Sequence, residues 1–476
     1  MIQSRSGNRL VPILLAWSCL LTLLAFPLMA APPPAEFDAA TRSKIDEWLK
    51  AIYPADEPGA TVLVAQGQEV LLRDAYGMAN LELGVPLQPD MVLRLGSITK
   101  QFTAASVMML AEEGKLNVSD PITKHLPDYP SHGHNITIEH LLNHTSGIFS
   151  YTGIPGYMNQ EIRRDLTTDE LVDVFKNLPM DFAPGDRWRY NNSGYVLLGA
   201  IIEAVSGQSY PAFVEERIFK PLGMPNSHYG GDKLIPRRAS GYAGRSGNYA
   251  NAPFLSMTQP QAAGSLLANV DDLLRWNSAL VLGDVISRAS YQQMTQKARL
   301  NDGETVDYGY GFGLRKIRGK SSVEHGGGIH GFSTSALWIP EERIYVSVLT
   351  NIPGRQPSPG VVAKKLAAYA MGNPYPEFEA QTLPAATLQR YQGVYEVDER
   401  KLILSVENGR LYLQPGGGPR REISVANQTK LFFPNSLNHF EIMLDSSGEV
   451  AGLKLFQDGE PDGEIARRIS TEVPKP

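Results

Sequence analysis

The sequence predicts an α/β (α+β) unit over residues 36–373, a linker at 374–384, and a small antiparallel β-barrel or sandwich over 385–470. Three observations carry this division. Strand-like runs flank a long helical stretch and are followed by a closing helix, the order of a sheet with helices packed on it. Near residues 373–383 the composition turns to Pro, Glu and Gln, as in a connecting segment. Beyond it, short strands recur at regular spacing with almost no helical periodicity, as in a small all-β domain.

Arg5 and Arg9 precede an apolar run over residues 10–29, and Ala30 and Ala31 lead into three prolines. Residues 1–30 therefore predict an export signal, cleaved after Ala30 rather than before Pro32. The competing reading is a retained anchor, since the run is long enough to span a bilayer. Cys19 lies within the run behind the bulky Trp17, which does not suit a lipoprotein site. Cleavage removes this one cysteine, and with it thiol nucleophiles, disulfides and cysteine metal sites. The mature protein is expected to be periplasmic or secreted, with no stable membrane insertion.

Asp38 is placed to cap a helix whose Thr41, Ile45, Trp48, Leu49 and Ile52 face inward, with Pro54 ending it. Runs at 61–65 and 69–76, rich in Val and Leu around Gly67-Gln68, predict a strand hairpin. Residues 93–282 read as mainly helical with Gly- and Pro-rich loops, strands return at 333–339 and 344–350, and a helix closes the unit over 361–371. In the tail, Asn408-Gly409 and Ser447-Gly448 mark two hairpin turns between alternating apolar runs.

Of 476 residues, 42% are hydrophobic and 20% charged, a globular composition. With 44 basic and 50 acidic residues the net charge is −6, which argues against nucleic acid as the main partner.

Chemistry concentrates in three segments. Gly96-Ser97-Ile98-Thr99-Lys100 opens a helix whose Ile98, Phe102, Ala105 and Met109 form an apolar stripe, with Gly114 just past its end. Residues three apart share a helix face, so the Lys100 amine can reach the Ser97 hydroxyl and take its proton if burial lowers the amine's pKa. The helix start adds backbone N–H groups suited to a developing oxyanion. Alone, S-x-x-K arises by chance about once in a chain of this length. Tyr190, in the loop Arg189-Tyr190-Asn191-Asn192-Ser193 before a helix over 195–205, offers a phenol for proton relay. That helix presents Leu197, Ala200, Ile201, Ala204 and Val205 on one face and ends at Gly207. Finally, His325 opens a glycine-rich loop ahead of the strand at Ser333, where a substrate can approach the backbone closely.

In this order the segments resemble the serine β-lactamase and penicillin-binding superfamily, in the class C-like branch that also holds D-aminopeptidases, D-Ala-D-Ala carboxypeptidases and family VIII esterases. Ser97 and Lys100 match S-x-x-K, Tyr190-Asn191-Asn192 matches Y-x-N, and His325-Gly326-Gly327 matches K/H-x-G. ITIEHLLNHTSGI at 136–148, QAAGSLLANVDDLLRW at 261–276 and YGYGFGL at 308–314 agree as flanking stretches. The resemblance covers residues 37–372, and the tail is similar to a β-rich domain often appended to such hydrolases. It implies a β-lactamase/transpeptidase-like fold, an antiparallel sheet flanked by helices with a helical subdomain. It also implies an acyl-enzyme on Ser97, with Lys100 and Tyr190 sharing the general-base role. The N–H groups of Ser97 and Gly328 would form the oxyanion hole. Asn192, His325 and Gly327 would contact the substrate, with no metal and no cofactor. Where many class C β-lactamases carry Lys in the third motif this chain has His325, a weaker partner for a substrate carboxylate. That departure favours small peptides, amides or esters over β-lactams.

Two other readings compete. His132, His134, His140 and His144 fall within thirteen residues, with His140 and His144 four apart on an expected helix, which could suit zinc. The order H-E-x-x-H is absent, and so is the G-x-S-x-G elbow of α/β-hydrolases. A non-catalytic protein that binds cell-wall peptide is the other rival, disfavoured by Ser97, Lys100 and Tyr190 occurring together. Chelation separates zinc from serine chemistry: turnover is expected to persist in EDTA, and inactivation that zinc reverses would replace the serine reading.

Overall fold

The computed structural model describes residues 37–67 and 69–474, so the expected export signal and Cys19 lie outside it. Helix α1 (Ala39–Ile52) starts at Asp38, whose carboxylate accepts the Thr41 N–H at 2.8 Å, and it buries Ile45, Leu49 and Ile52. Strands β1 (Ala60–Gln66) and β2 (Glu69–Tyr76) form the expected hairpin. β3 (Gly313–Ile317), β4 (Lys320–Ile329), β5 (Phe332–Ile339) and β6 (Ile344–Thr350) complete an antiparallel six-stranded sheet in the order β3-β4-β5-β6-β1-β2. β1 thus pairs with β6, Val62 opposite Val348, although the whole helical region separates them in sequence.

Successive strand residues point to opposite faces, so the sheet builds two cores. Val62, Val64, Val346 and Val348 pack with α1 and the closing helix Pro359–Ala370. Leu63, Ala336, Tyr345 and Leu349 pack under the helical region. Coverage of both faces explains why β1 and β6 read as continuous apolar runs rather than alternating ones.

At the heart of the helical region lies α2 (Thr99–Glu112). The expectation of one apolar stripe is corrected here: residues 99–108 are all buried, while Met109 is only half-buried. Small hydroxyls make this possible by bonding backbone carbonyls, Ser106 to Phe102 and Thr103 to Ala262. Helix α3 (Asn192–Ser206) begins three residues earlier than the periodicity suggested, because Asn191 caps it by accepting the Gly194 N–H. Gly207, at φ 71°, ends it, and Ala204 is exposed rather than inward. The helical region also contains strands too short to show as periodicity, such as Leu266–Ala268 between Leu93–Arg94 and His228–Tyr229. The glycine-rich segment from His325, read as a loop, is strand: it is the second half of the ten-residue β4.

The tail is a closed barrel of eight antiparallel strands running from Gly393–Val397 to Glu464–Ser470. Asn408 and Gly409, at φ 51° and 73°, make the mirror-image turn that suits strand twist. Residues 374–384 carry no helix or strand, yet they are held: Tyr375 is buried and the Gln381 N–H donates to the Val425 carbonyl at 2.7 Å. The barrel docks through Glu460, whose carboxylate accepts the N–H groups of Arg318 and Gly319 at 2.7 and 2.8 Å, in the turn joining β3 to β4. Among the described residues no helix is long and apolar enough to cross a membrane.

Phe102 is 1% exposed and stacks on Trp276 with ring centroids 4.0 Å apart. Phe102→Ala is expected to lower the free energy of unfolding by about 3–5 kcal/mol, measured by denaturant titration.

Candidate active site

The site is assembled where α2 begins. Gly96, at φ 55°, turns the chain into a short helical turn over Gly96–Ile98 that runs on into α2. This leaves Ser97 half-buried and Lys100 in the first helical turn, fully buried at 0% exposure. The Lys100 amine lies 3.3 Å from Ser97 Oγ, 2.8 Å from Asn192 Oδ1 and 2.8 Å from the Ala263 carbonyl. Burial pushes its pKa well below the ordinary lysine value. An amide oxygen and a carbonyl can only accept hydrogen bonds. A neutral amine therefore gives its two N–H groups to Asn192 and Ala263 and turns its lone pair toward the Ser97 hydroxyl. Asn192 is held in that orientation by donating its own amide to Thr152 Oγ1 at 3.2 Å.

Tyr190 sits two residues before α3, its ring centre 4.8 Å from the Lys100 amine. Its hydroxyl is buried and makes no hydrogen bond among the described residues. Burial raises its pKa well above the usual phenol value, and the nearby Ser97 hydroxyl opposes this only in part. Tyr190 is thus a neutral, unpaired donor beside Ser97, an arrangement that buried polar groups otherwise avoid.

Behind Tyr190 runs a directed chain of hydrogen bonds. His144 Nδ1 accepts the Asn191 N–H at 3.2 Å, so its proton sits on Nε2, which donates to the Tyr308 hydroxyl at 3.2 Å. His325 Nδ1 faces the Gly326 carbonyl at 2.6 Å and must donate there, so its Nε2 accepts from Tyr308 at 2.9 Å. Every proton position follows from an obligate partner at each end. Burial pushes His325 down to about 3 and lowers His144 well below its usual value. The His144 ring packs on Tyr190 at 4.4 Å between centroids.

β4 supplies the opposite wall. Its pairing with β3 ends at Glu324, so one edge is open from His325 onward. Ile329 pairs with Phe332 across a two-residue turn, and by the alternation of the ladder the Gly328 amide faces that open edge. A Cβ on Gly96 would lie 3.0 Å from the Gly328 nitrogen, which puts this amide beside Ser97. Ser97, Asn192 and Gly328 share a cavity of about 140 Å³ with Tyr151, Met158 and Leu255. No Asp, Glu, Lys or Arg lines it among the described residues.

Of the residues singled out in the sequence, Ser97, Lys100, Tyr190, Asn192 and Gly328 come together here. His325 and Gly327, expected to contact substrate, do not line the cavity. His325 is 8% exposed with both ring nitrogens engaged inside the protein. A Cβ on Gly327 would lie 1.9 Å from the Leu95 carbonyl, so this glycine serves the close approach of β4 to the start of α2. The four-histidine cluster is dispersed: His140 completes a helix cap with Thr137, His132 faces the Lys176 carbonyl, and His144 joins the chain behind Tyr190. Among the described residues, no three His, Cys, Asp or Glu side chains are placed to hold a metal ion. The motifs alone missed His144, Tyr308, Thr152 and Ala263. Three of these fall within the flanking stretches, which were the available signal.

A family model described as Beta-lactamase matches residues 48–370, more than half of the chain. The chain belongs to this family. Penicillin-binding protein 4* of Bacillus subtilis (strain 168) is 32% identical over 425 residues, which cover 84% of this chain and 93% of that relative. A D-aminopeptidase of Gluconobacter oxydans (strain 621H) is 28% identical over 389 residues, 79% of this chain and 69% of the relative. Among solved structures, an octameric penicillin-binding protein homologue from Pyrococcus abyssi superposes with a TM-score of 0.65 at 26% identity, over 90% of this chain and 100% of that one. The chain is accordingly a β-lactamase-fold serine hydrolase related to penicillin-binding proteins and D-aminopeptidases.

The neutral histidines of the site make stability pH-dependent. Below pH ~6.5 an unfolded imidazole binds a proton that folded His325 and His144 refuse, so stability present at pH 7 is lost as the pH falls toward 3. The loss is expected to reach about 2 kcal/mol per imidazole at pH 5. Denaturant midpoints at pH 7 and pH 5 should reveal the drop, and His325→Gln should shrink it.

Proposed function

We propose that the protein is an exported serine hydrolase in which Ser97 is acylated by small amide, peptide or ester substrates that carry no carboxylate beside the reacting carbonyl. The observation that carries this reading is the dehydrated Lys100 amine, whose two N–H groups are taken by pure acceptors and whose lone pair is left for Ser97.

In the first step the Lys100 amine accepts the Ser97 proton as Oγ bonds to the carbonyl carbon. Tyr190 is the weaker base, because burial keeps its phenol protonated, and it serves as the shuttle. The oxyanion is held by the Ser97 and Gly328 N–H groups. Tyr190 gives its proton to the leaving nitrogen or oxygen as the carbon–heteroatom bond breaks, and is reprotonated from Lys100. Hydrolysis retraces the path: a water loses a proton to the Lys100 amine, directly or with Tyr190 passing its own proton on as it takes the water's, its oxygen bonds to the acyl carbon, and Ser97 leaves with the proton returned. Asn192 keeps Lys100 aimed and presents its amide beside the acyl group.

The cavity supports a substrate without a carboxylate. Its lining holds no charged side chain, and His325 is a neutral ring turned away from it. A substrate carboxylate would find no cation there, which favours amides and esters over penicillin-type acids. The D-aminopeptidase relative adds weight to amides of D-amino acids. Export rests on the pattern of residues 1–30.

The deciding experiment assays 4-nitrophenyl acetate, D-alanine 4-nitroanilide and nitrocefin on wild type and variants. Ester and anilide turnover is expected, with nitrocefin poor. Ser97→Ala should abolish both turnover and labelling by an activated-serine probe; normal turnover in that variant ends the proposal. Lys100→Met should lower kcat/KM by at least about 10²-fold, and Lys100→Arg should not restore it, since a guanidinium stays charged.

A further inference from the structure

One end of the barrel is a feature that the serine chemistry leaves unused. An eight-stranded barrel is wide enough either to be filled by its own side chains or to hold one small ligand. Here one half is filled, by Tyr395, Leu404, Leu431, Leu453 and Ala466, each at most 1% exposed. The other half opens into a cavity of about 640 Å³, within the range of small-molecule sites. Its floor is apolar, with Leu413, Phe433, Phe440, Leu402 and Leu455.

Strand register makes the mouth unusual. On the strand Arg421–Val425, Ile423 and Val425 are buried in the barrel core, so Arg421, two residues before Ile423, occupies an interior-facing position at the open end. Its guanidinium lies 4.4 Å from the centre of the Phe433 ring. Three other arginines of the barrel are paired with carboxylates: Arg400 with Glu464 at 2.7 Å, Arg410 with Glu422 at 3.2 Å, and Arg420 with Glu407. Arg421 has no carboxylate partner among the described residues. Around the mouth, Arg400, Lys401 and Arg421 face two carboxylates, Glu399 and Glu464, of which Arg400 takes the second.

We propose that this end of the barrel binds an alkyl carboxylate, a medium-chain fatty acid, with its chain on the apolar floor and its carboxylate on Arg421. The charge placement is what selects this occupant. A flat apolar patch would recruit another protein, whereas a recessed apolar cavity with one uncommitted guanidinium at its lip fits a single anionic head on a hydrocarbon tail. The planar guanidinium offers two parallel donors to a carboxylate while its face stays on Phe433. The site is separate from Ser97 and stands independently of the reaction assigned there.

The test uses the full chain and dodecanoate below its micelle concentration, followed by isothermal titration calorimetry. Expected is one site per chain, weakened about tenfold by Arg421→Gln, the loss of one charge-assisted contact. The same substitution should leave dodecanol binding unchanged. Leu402→Trp, which fills the half-buried lip, should weaken both ligands. Both variants should keep wild-type turnover of 4-nitrophenyl acetate, which also reports that they fold. Four results would each overturn the proposal: no binding, dodecanoate binding that neither variant alters, dodecanol binding as tightly as dodecanoate, or a mouth closed by a second copy of the chain in light scattering.

Discussion

Everything in the catalytic half turns on keeping water away from one amine. A lysine at 0% exposure is an expensive thing to bury, and the fold makes it tolerable by surrounding Lys100 with acceptors rather than with a counter-charge. A carboxylate in place of Asn192 would stabilise the ammonium form and hold the proton that catalysis needs removed. Three distant stretches cooperate in this: the first turn of α2, the capped start of α3, and the short helix Gln261–Gly264, entered through Gln261 at φ 39°. That α2 is buried around its whole circumference over its first ten residues is the structural consequence of the same demand.

The neutral pair His144 and His325 belongs to this design. A second lysine at position 325, facing Tyr308 at 8% exposure, would have to be buried near the first, and each would raise the cost of charging the other. An imidazole can be neutral at both ends of a hydrogen-bond chain, which lets Tyr308 link the two rings while the phenol of Tyr190 is packed from behind rather than bonded. The Tyr190 hydroxyl is then left as a buried donor without a hydrogen-bond partner among the described residues.

What could be read in the sequence was what is local. Ser97 and Lys100 lie one helical turn apart, Asn408-Gly409 dictates its own turn, and Asp38 caps the helix beside it, so spacing and residue type sufficed. The placing of Tyr190, Asn192 and Gly328 near Ser97 matches what the resemblance implied. The surroundings of His325 could not be read in the sequence, because they are supplied by Tyr308 and Lys100, and a glycine-rich run gives no sign of whether it forms loop or strand until β5 pairs with it. Ala204 was misread for a related reason: apolar spacing marks a face, but the turns of α3 nearest its end extend beyond what packs against them. The cavity at Ser97 and the mouth of the barrel depend on which side chains converge from separate segments, and no single window of sequence contains that.

Glu460 has a consequence for the molecule as an assembly. The turn it grips joins β3 to β4, and β4 is the strand that brings Gly328 beside Ser97. Arg318 adds a bond to the Gly459 carbonyl, Lys364 of the closing helix pairs with Asp458, and Leu437 shares an apolar cluster with Ile317 and Leu366. The barrel is therefore no detachable tail. Trimming the chain at residue 373 would strip the partner from two turn amides, bare an apolar seam, and loosen the strand that brings Gly328 beside Ser97.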